Sequence, residues 1–320
     1  MTIGLTPYIT PQMLLSSNYG ISWDTFPKPG SSVPDQISAQ LDICWAVTSE
    51  MDTIASLTMR ATLNTESEFG PDFAITVLPN GWTRFRLSNW PILQLTGAQA
   101  SPSGITPPAW TNIPLSALQT EHATSTLTGS TVPSAAEPGP TAALIAPGYV
   151  GWGNGRKGYL VQVSSVNGFP SAGIDVDAHV GDLLVHVDDV TGWSGAHGTI
   201  YDSPYREPVH CVSTTVDVGP DQGLANTGPG NLLLDTTLRF NHLPQVGVPG
   251  QADQRVLINS MPMAVLQAGF YLATYFGLIR GATGAIVQSS RGQAAPSGMK
   301  GANSWYEMAE KTLSHYARVF

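Results

Sequence analysis

The sequence is short of charge. Only 12% of its 320 residues are Asp, Glu, Lys or Arg, about half the usual share, and no Lys or Arg occurs from Leu87 to Gly155. Disordered chains are typically highly charged, so this composition argues against one. Cys44 and Cys211 are the only cysteines, too few for a disulfide scaffold or a thiolate zinc site. Both are expected as buried apolar thiols. A net charge of −9 disfavours a protein that grips nucleic acid through its phosphates. The first seven residues, Met1 to Pro7, lack the basic start and apolar core of a signal peptide, so export by that route is not expected.

Long hydrophobic runs are scarce too. Between Arg255 and Arg280 lie 24 uncharged residues, but Asn259, Ser260, Pro262, Gln267 and Thr274 interrupt them. A spanning helix needs about 20 mainly apolar residues, so the stretch reads as a buried or subunit-interface helix, with no membrane partner. Catalytic motifs are missing as well. The seven histidines form no metal-binding helical pair, and there is no nucleophile elbow. The glycine-rich run from Gly148 to Gly155 lacks the lysine and the strand-to-helix setting of a phosphate loop. His186 with Asp188 and Asp189 offers a cation set, but alternation puts His186 and Asp188 on a polar strand face and Asp189 at a turn. Asp175 and Asp177 share a strand face, as paired glycosidase carboxylates would, yet nothing selects them over ordinary solvated acids. No active site, metal or cofactor is expected.

What the chain does have is glycine and proline, 33 and 25 residues, and a surface polar through Ser, Thr, Asn and Gly. This suits a β- and loop-rich protein covered by neighbours. Residues 1–33 read as an extended arm. A helix starts at Pro34 with Asp35 in its first turn, where the dipole favours an anion. Ile37, Leu41, Cys44, Thr48, Met51, Ala55 and Thr58 form its apolar stripe to about Leu63, and Asp42, Glu50 and Asp52 lie opposite. Gly70-Pro71 stops it. Phe73, Ile75 and Val77 alternate, Pro79-Asn80-Gly81 makes a hairpin turn, and Trp82–Leu87 returns with Arg84 and Arg86 on one face. Trp90–Leu95 adds a strand.

Charge then separates along the chain. Residues 170–256 hold eleven acids against Arg206, Arg239 and Arg255, a net charge of −8, whereas 257–320 hold five cations against Glu307 and Glu310, a net +3. Strands are expected at Leu183–Val187, Thr199–Tyr201, Val209–Val212, Asn231–Leu234 and Thr237–Phe240, which suggests a small sandwich or barrel. An apolar helix from about Pro262, a loop from Gly281 to Gly301, and a last helix from Ser304 to about Val319 follow, the last with a Ser304/Glu307 capping box. The expected fold class is α+β: a helical core from the N- and C-terminal helices, a short β-hairpin region, and an inserted all-β module. The segments are 1–33 (arm), 34–97 (helix plus hairpin), 98–169 (Pro/Ser/Thr/Gly-rich extended loop, notably Ser125–Pro140), 170–256 (acidic β-module) and 257–320 (C-terminal helices).

Several segments carry a resemblance: Cys44-Trp45-Ala46-Val47, Gly70-Pro71-Asp72, Leu87–Pro91 and Gly277–Ala282, with Ser165–Pro170, Val187–Trp193, Glu207-Pro208-Val209 and Leu238–His242. Their order resembles head-to-tail adaptor (connector) proteins of tailed bacteriophages, with an inserted phage-type β-module. The short all-helical adaptors lack that module. The resemblance implies a non-enzymatic virion protein of the neck, made in the host cytoplasm. Its subunits form a ring, usually a dodecamer, between the portal protein and a stopper or tail protein, and double-stranded DNA passes through the lumen without specific binding. It also implies a C-terminal element docking to the portal. Here that element is Ser304–Phe320, with Trp305, Leu313, Tyr316 and Phe320 as anchors; the same helix can instead fold back on its own core. The aromatic helix with Phe270, Tyr271 and Tyr275 suits burial in a ring contact. The competing readings are a tail, baseplate or decoration protein whose 170–256 module binds carbohydrate, and a secreted hydrolase.

Overall fold

The chain builds one compact unit, leaves it to build a second, and returns. The computed structural model describes residues 5–17, 19, 21–27, 30–69, 75–102, 106–122, 140–150, 159–217, 227–246, 252–280 and 299–316. Residues 1–59 and 169–319 make the first unit and 60–168 the second. Within the first unit, the Phe169 N–H donates to the Met59 carbonyl at 2.7 Å, so the insertion leaves and returns at one place. Adjacent ends are what makes an insertion tolerable to its host. The fold is α+β, but the expected divisions at 97/98 and 169/170 give way to 59/60 and 168/169.

Among its described residues the first unit has four α-helices: α1 (Pro11–Leu15), α2 (Val33–Ala55), α3 (Met263–Ile279) and α4 (Met299–Leu313). Ser32 caps α2, its hydroxyl accepting the Asp35 N–H at 3.3 Å. The helix stops at Ser56, in the left-handed region (φ 55°), and does not run on to Leu63. Thr62 and Leu63 are claimed by cross-strand partners, Asn167 and Val166, and that pairing overrides helical drift. The buried stripe of α2 keeps Cys44, Thr48, Met51 and Ala55 and adds Ile43 and Val47, while Thr58 is exposed. α3 matches its expected span. Gly269 leaves room there for Val47 and Met51 of α2, whose atoms would lie 3.7 and 3.2 Å from a Cβ at that position.

The arm is not a loose extension. Tyr8, Ile9, Met13, Leu14, Ile21, Trp23 and Phe26 are buried, and Thr10 caps α1 by accepting the Met13 N–H. The Tyr8 N–H donates to Thr48 Oγ1 at 3.0 Å and its hydroxyl to Asp52 at 2.9 Å. Spaced prolines had suggested extension, but apolar residues between them give the segment a core face.

Also in this unit, the acidic module closes into a barrel of β9 (Ser171–Ile174), β10 (Leu184–Val187), β11 (His197–Asp202), β12 (Tyr205–Val216), β13 (Gly230–Leu234) and β14 (Val256–Asn259), in the order β10-β13-β12-β11-β14-β9. Closure removes free strand edges. Val185 and Val187, Leu232 and Leu234, and Val256 and Ile258 point inward around Trp193. Leu183 lies outside β10 and is exposed, and Thr237–Phe240 is not a strand. Gly198 is required by a close approach: a Cβ there would sit 2.6 Å from the Trp193 ring.

The second unit is two four-stranded antiparallel sheets. One runs β1 (Thr62–Phe69), β8 (Tyr159–Asn167), β4 (Ile92–Pro102), β5 (Thr111–Ile113); the other β2 (Ile75–Val77), β3 (Thr83–Arg86), β7 (Pro140–Ile145), β6 (Leu118–His122). A shared core of Phe85, Ile92, Ala143, Ile145, Val161 and Val163 joins them. The expected extended loop of 98–169 is therefore corrected: most of its described residues are strands. Ala98, Ala100, Ala142 and Ala143 are among its buried residues and are too small to raise a hydropathy signal. The Asn80-Gly81 hairpin is present, with Gly81 at φ 83° and the Leu78 N–H donating to the Trp82 carbonyl. Arg84 pairs with Glu121 of β6. The turn at Gly70–Asp72, Phe73, Ser125–Gly139, Gly151–Gly155 and 281–298 lie outside the described residues.

Candidate partner interface

α4 carries alanines at Ala302 and Ala309 and a leucine at Leu313 on one face, all buried. Small side chains let this helix approach α3 closely, and it packs there and on α2. The capping box at Ser304 is absent, since α4 begins at Met299 and the Ser304 hydroxyl donates back to the Gly301 carbonyl at 2.8 Å. The Tyr306 hydroxyl donates to Glu50 of α2 at 2.7 Å. That bond, with burial, pushes the phenol up to about 12. The C-terminal helix thus folds onto its own core.

The expected anchors divide accordingly. Leu313 is fully buried and so is not free to hold a partner; Phe270 keeps only a small exposed area, which borders a hollow. Trp305 packs on Tyr271 with ring centroids 5.5 Å apart and meets Tyr19 edge-on at 6.1 Å. Tyr275 packs on Tyr306 at 5.1 Å. Tyr316 meets Phe169 edge-on at 6.5 Å. Phe320 lies outside the described residues. Tyr19, which stacks on Phe270 at 5.6 Å, unites Phe270, Tyr271 and Trp305 in one aromatic layer. Sequence reading brought out the aromatics but not this partner, which lies in the supposed arm.

The same unit exposes apolar side chains at several places, Leu184, Val212 and Leu233 of the barrel among them; two of its surfaces near the helices bear on a subunit contact. On α2, Ser38, Asp42, Trp45, Ser49 and Thr53 share an exposed face. Trp45 is the one large apolar side chain among them, 44% exposed, beside a groove of about 260 Å³ walled by Leu5, Pro7, Pro11, Leu41 and Arg255. Elsewhere, Tyr19, Arg206, Met263, Gln267 and Phe270 line a hollow of about 470 Å³. The two surfaces have no lining residue in common. Arg206 lies 5.7 Å from the Tyr201 ring centroid and forms no ion pair among the described residues.

Five acids of the barrel module, Asp175, Asp202, Glu207, Asp217 and Asp235, are engaged by histidines. His242, fully buried, has Nδ1 3.1 Å from Asp202 and Nε2 3.1 Å from Glu207. Burial opposes its charge, but the hydrogen bonds and charges of Asp202 and Glu207 outweigh it and raise its pKa above the ordinary histidine value. His186 is held the same way, 2.6 Å from Asp175 and 2.9 Å from Asp217, and burial is again outweighed. His210 lies 3.0 Å from Asp235 and holds that carboxyl below its usual range.

The cation set is not assembled. Asp188 is buried instead of lying on a polar face. It accepts the Thr6 N–H at 3.0 Å and hydroxyl at 2.7 Å, the Gly173 N–H at 2.7 Å and Arg255 Nη1 at 2.7 Å. Asp189 serves Thr191 and Gly228. Among the described residues no group of three or more His, Cys, Asp or Glu is placed to hold a metal. β9 ends at Ile174, so Asp175 and Asp177 share no strand face. Cys44 and Cys211 are free and buried; burial raises both thiols, Cys211 to about 11. Among the described residues no helix is long and apolar enough to cross a membrane. No protein-family model matches the chain, and no curated protein or solved structure matches it.

Proposed function

We propose that this chain is a structural, non-enzymatic subunit of a ring-shaped head-to-tail adaptor in a phage neck. In this reading α2, α3 and α4 form the ring's helical core, and the lumen extends the portal channel toward a stopper or tail protein. The observation that carries it is the pair of unlike uncovered surfaces, the Trp45 face and the Tyr19/Met263 hollow. A closed rotational ring repeats one heterologous contact, so each subunit must bury two different surfaces. The acid-rich composition supports it too, because a channel that passes DNA must not bind phosphates. Since α4 is occupied by its own core, docking to the portal falls to other surfaces than Leu313.

Mass photometry of the purified full chain tests this. A single species at a whole multiple of the monomer mass, near twelve copies, is expected. A chain that stays monomeric in solution and in purified virions would overturn it.

A further inference from the structure

The two surfaces carry opposite charges, Asp42 on one and Arg206 on the other. One is a projection: an exposed indole, Trp45, with the carboxylate of Asp42 one turn before it on the same face of α2. The rest of that face is Ser38, Ser49 and Thr53, small enough to let another surface come close. The other is a recess of about 470 Å³ lined by the stacked Tyr19 and Phe270 rings with Met263, Gln267 and Arg206. Pockets of this size accept a compact apolar group. Methionine and aromatic rings give an indole edge and face contacts. Neither Asp42 nor Arg206 has an ion-pair partner among the described residues.

We infer that Trp45 of one copy seats in the Tyr19/Phe270/Met263 hollow of the next, with Asp42 pairing to Arg206 across the contact. The occupant is thus a second copy of this chain, and the inference rests on the ring reading above, to which it adds the contact. Both kinds of residue are those in which interface energy concentrates: tryptophan and arginine dominate binding hot spots. An exposed charge pair also sets the register of docking. Because projection and recess share no residue, one copy can engage two neighbours at once, as closure requires.

A charge swap in the full chain tests it. Arg206→Glu and Asp42→Arg each sit on exposed positions, and circular dichroism melts matching the parent chain establish that they fold. Sedimentation velocity over a concentration series then reads self-association. Each single variant is expected to weaken association at least about tenfold, and Trp45→Ala about thirtyfold. The double variant Asp42→Arg/Arg206→Glu is expected to recover most of the loss. If the parent chain forms rings and the single variants form them equally well, this contact is wrong and the ring reading stands. If the parent chain is monomeric both in solution and in virions, the ring reading fails and takes the contact with it. If swap-restorable dimers form instead of rings, the contact stands and the ring reading falls.

Discussion

Replacing His242 with alanine strips Glu207 of its charged partner inside the barrel wall. Glu207 is 4% exposed, and its other oxygen accepts the Arg239 N–H at 2.7 Å. Asp202 loses its bond to Nδ1 at the same time. Two charge-assisted hydrogen bonds are worth about 1.5–3 kcal/mol each, and leaving a buried charge unpaired costs about 3–5 kcal/mol. The two figures describe the same loss, so a total of about 3–5 kcal/mol is expected. For a unit of this size that lowers the melting temperature by about 6–20 °C. Differential scanning calorimetry at neutral pH reads it. The pH dependence has a definite sign. The folded pKa of His242 lies above its ordinary 6.5. Its stabilisation is therefore complete below about pH 6.5 and is lost as pH rises through the raised value. His186 contributes with the same sign. His242→Gln keeps a hydrogen-bond donor but cannot charge, so the fall in stability above pH 6.5 should shrink, and His186→Gln should remove much of what remains. An alanine variant within about 1 kcal/mol of the parent, with the pH slope unchanged, would refute the argument that these carboxylates depend on the imidazolium.

Other outcomes follow from packing. Gly198→Ala forces a methyl against the immobile Trp193 ring and should cost about 1–3 kcal/mol by urea unfolding. Serine at the same place should do no better. Asp188→Asn removes the charge from the contacts with Arg255 and Thr6. A loss of about 1.5–3 kcal/mol is expected, with earlier cleavage in the N-terminal segment under limited proteolysis. Cys44 and Cys211 should resist a thiol reagent at pH 8 in the folded chain and react fully in denaturant, since both are buried with raised pKa values.

How much was legible varied with side-chain size. The α3 span and most of the barrel strands stand out because Val, Leu and Ile alternate or recur with a clear period. The two sheets of the second unit did not, since alanines hold part of their buried positions and their long-range pairing, such as Thr62 with Asn167, leaves no local trace. α4 was placed five residues late because Ser304 and Glu307 imitate a cap, whereas the helix was already under way. The interface aromatics were visible as a composition, but which ones remain uncovered depends on what folds over them. Leu313 was lost to the core in that way. Trp45 entered the sequence reading only within the segment Cys44-Trp45-Ala46-Val47, and its exposure on a polar helical face came with the structure. Asp188 was misplaced for a similar reason: its partners Thr6 and Arg255 lie far off in the chain.

The most direct test is a symmetry count on electron-microscope images of the purified full chain and of virions containing it. Closed rings with a central channel and rotational symmetry, near twelvefold, are predicted. Monomers in both preparations, two-fold dimers, or open filaments would contradict the adaptor assignment.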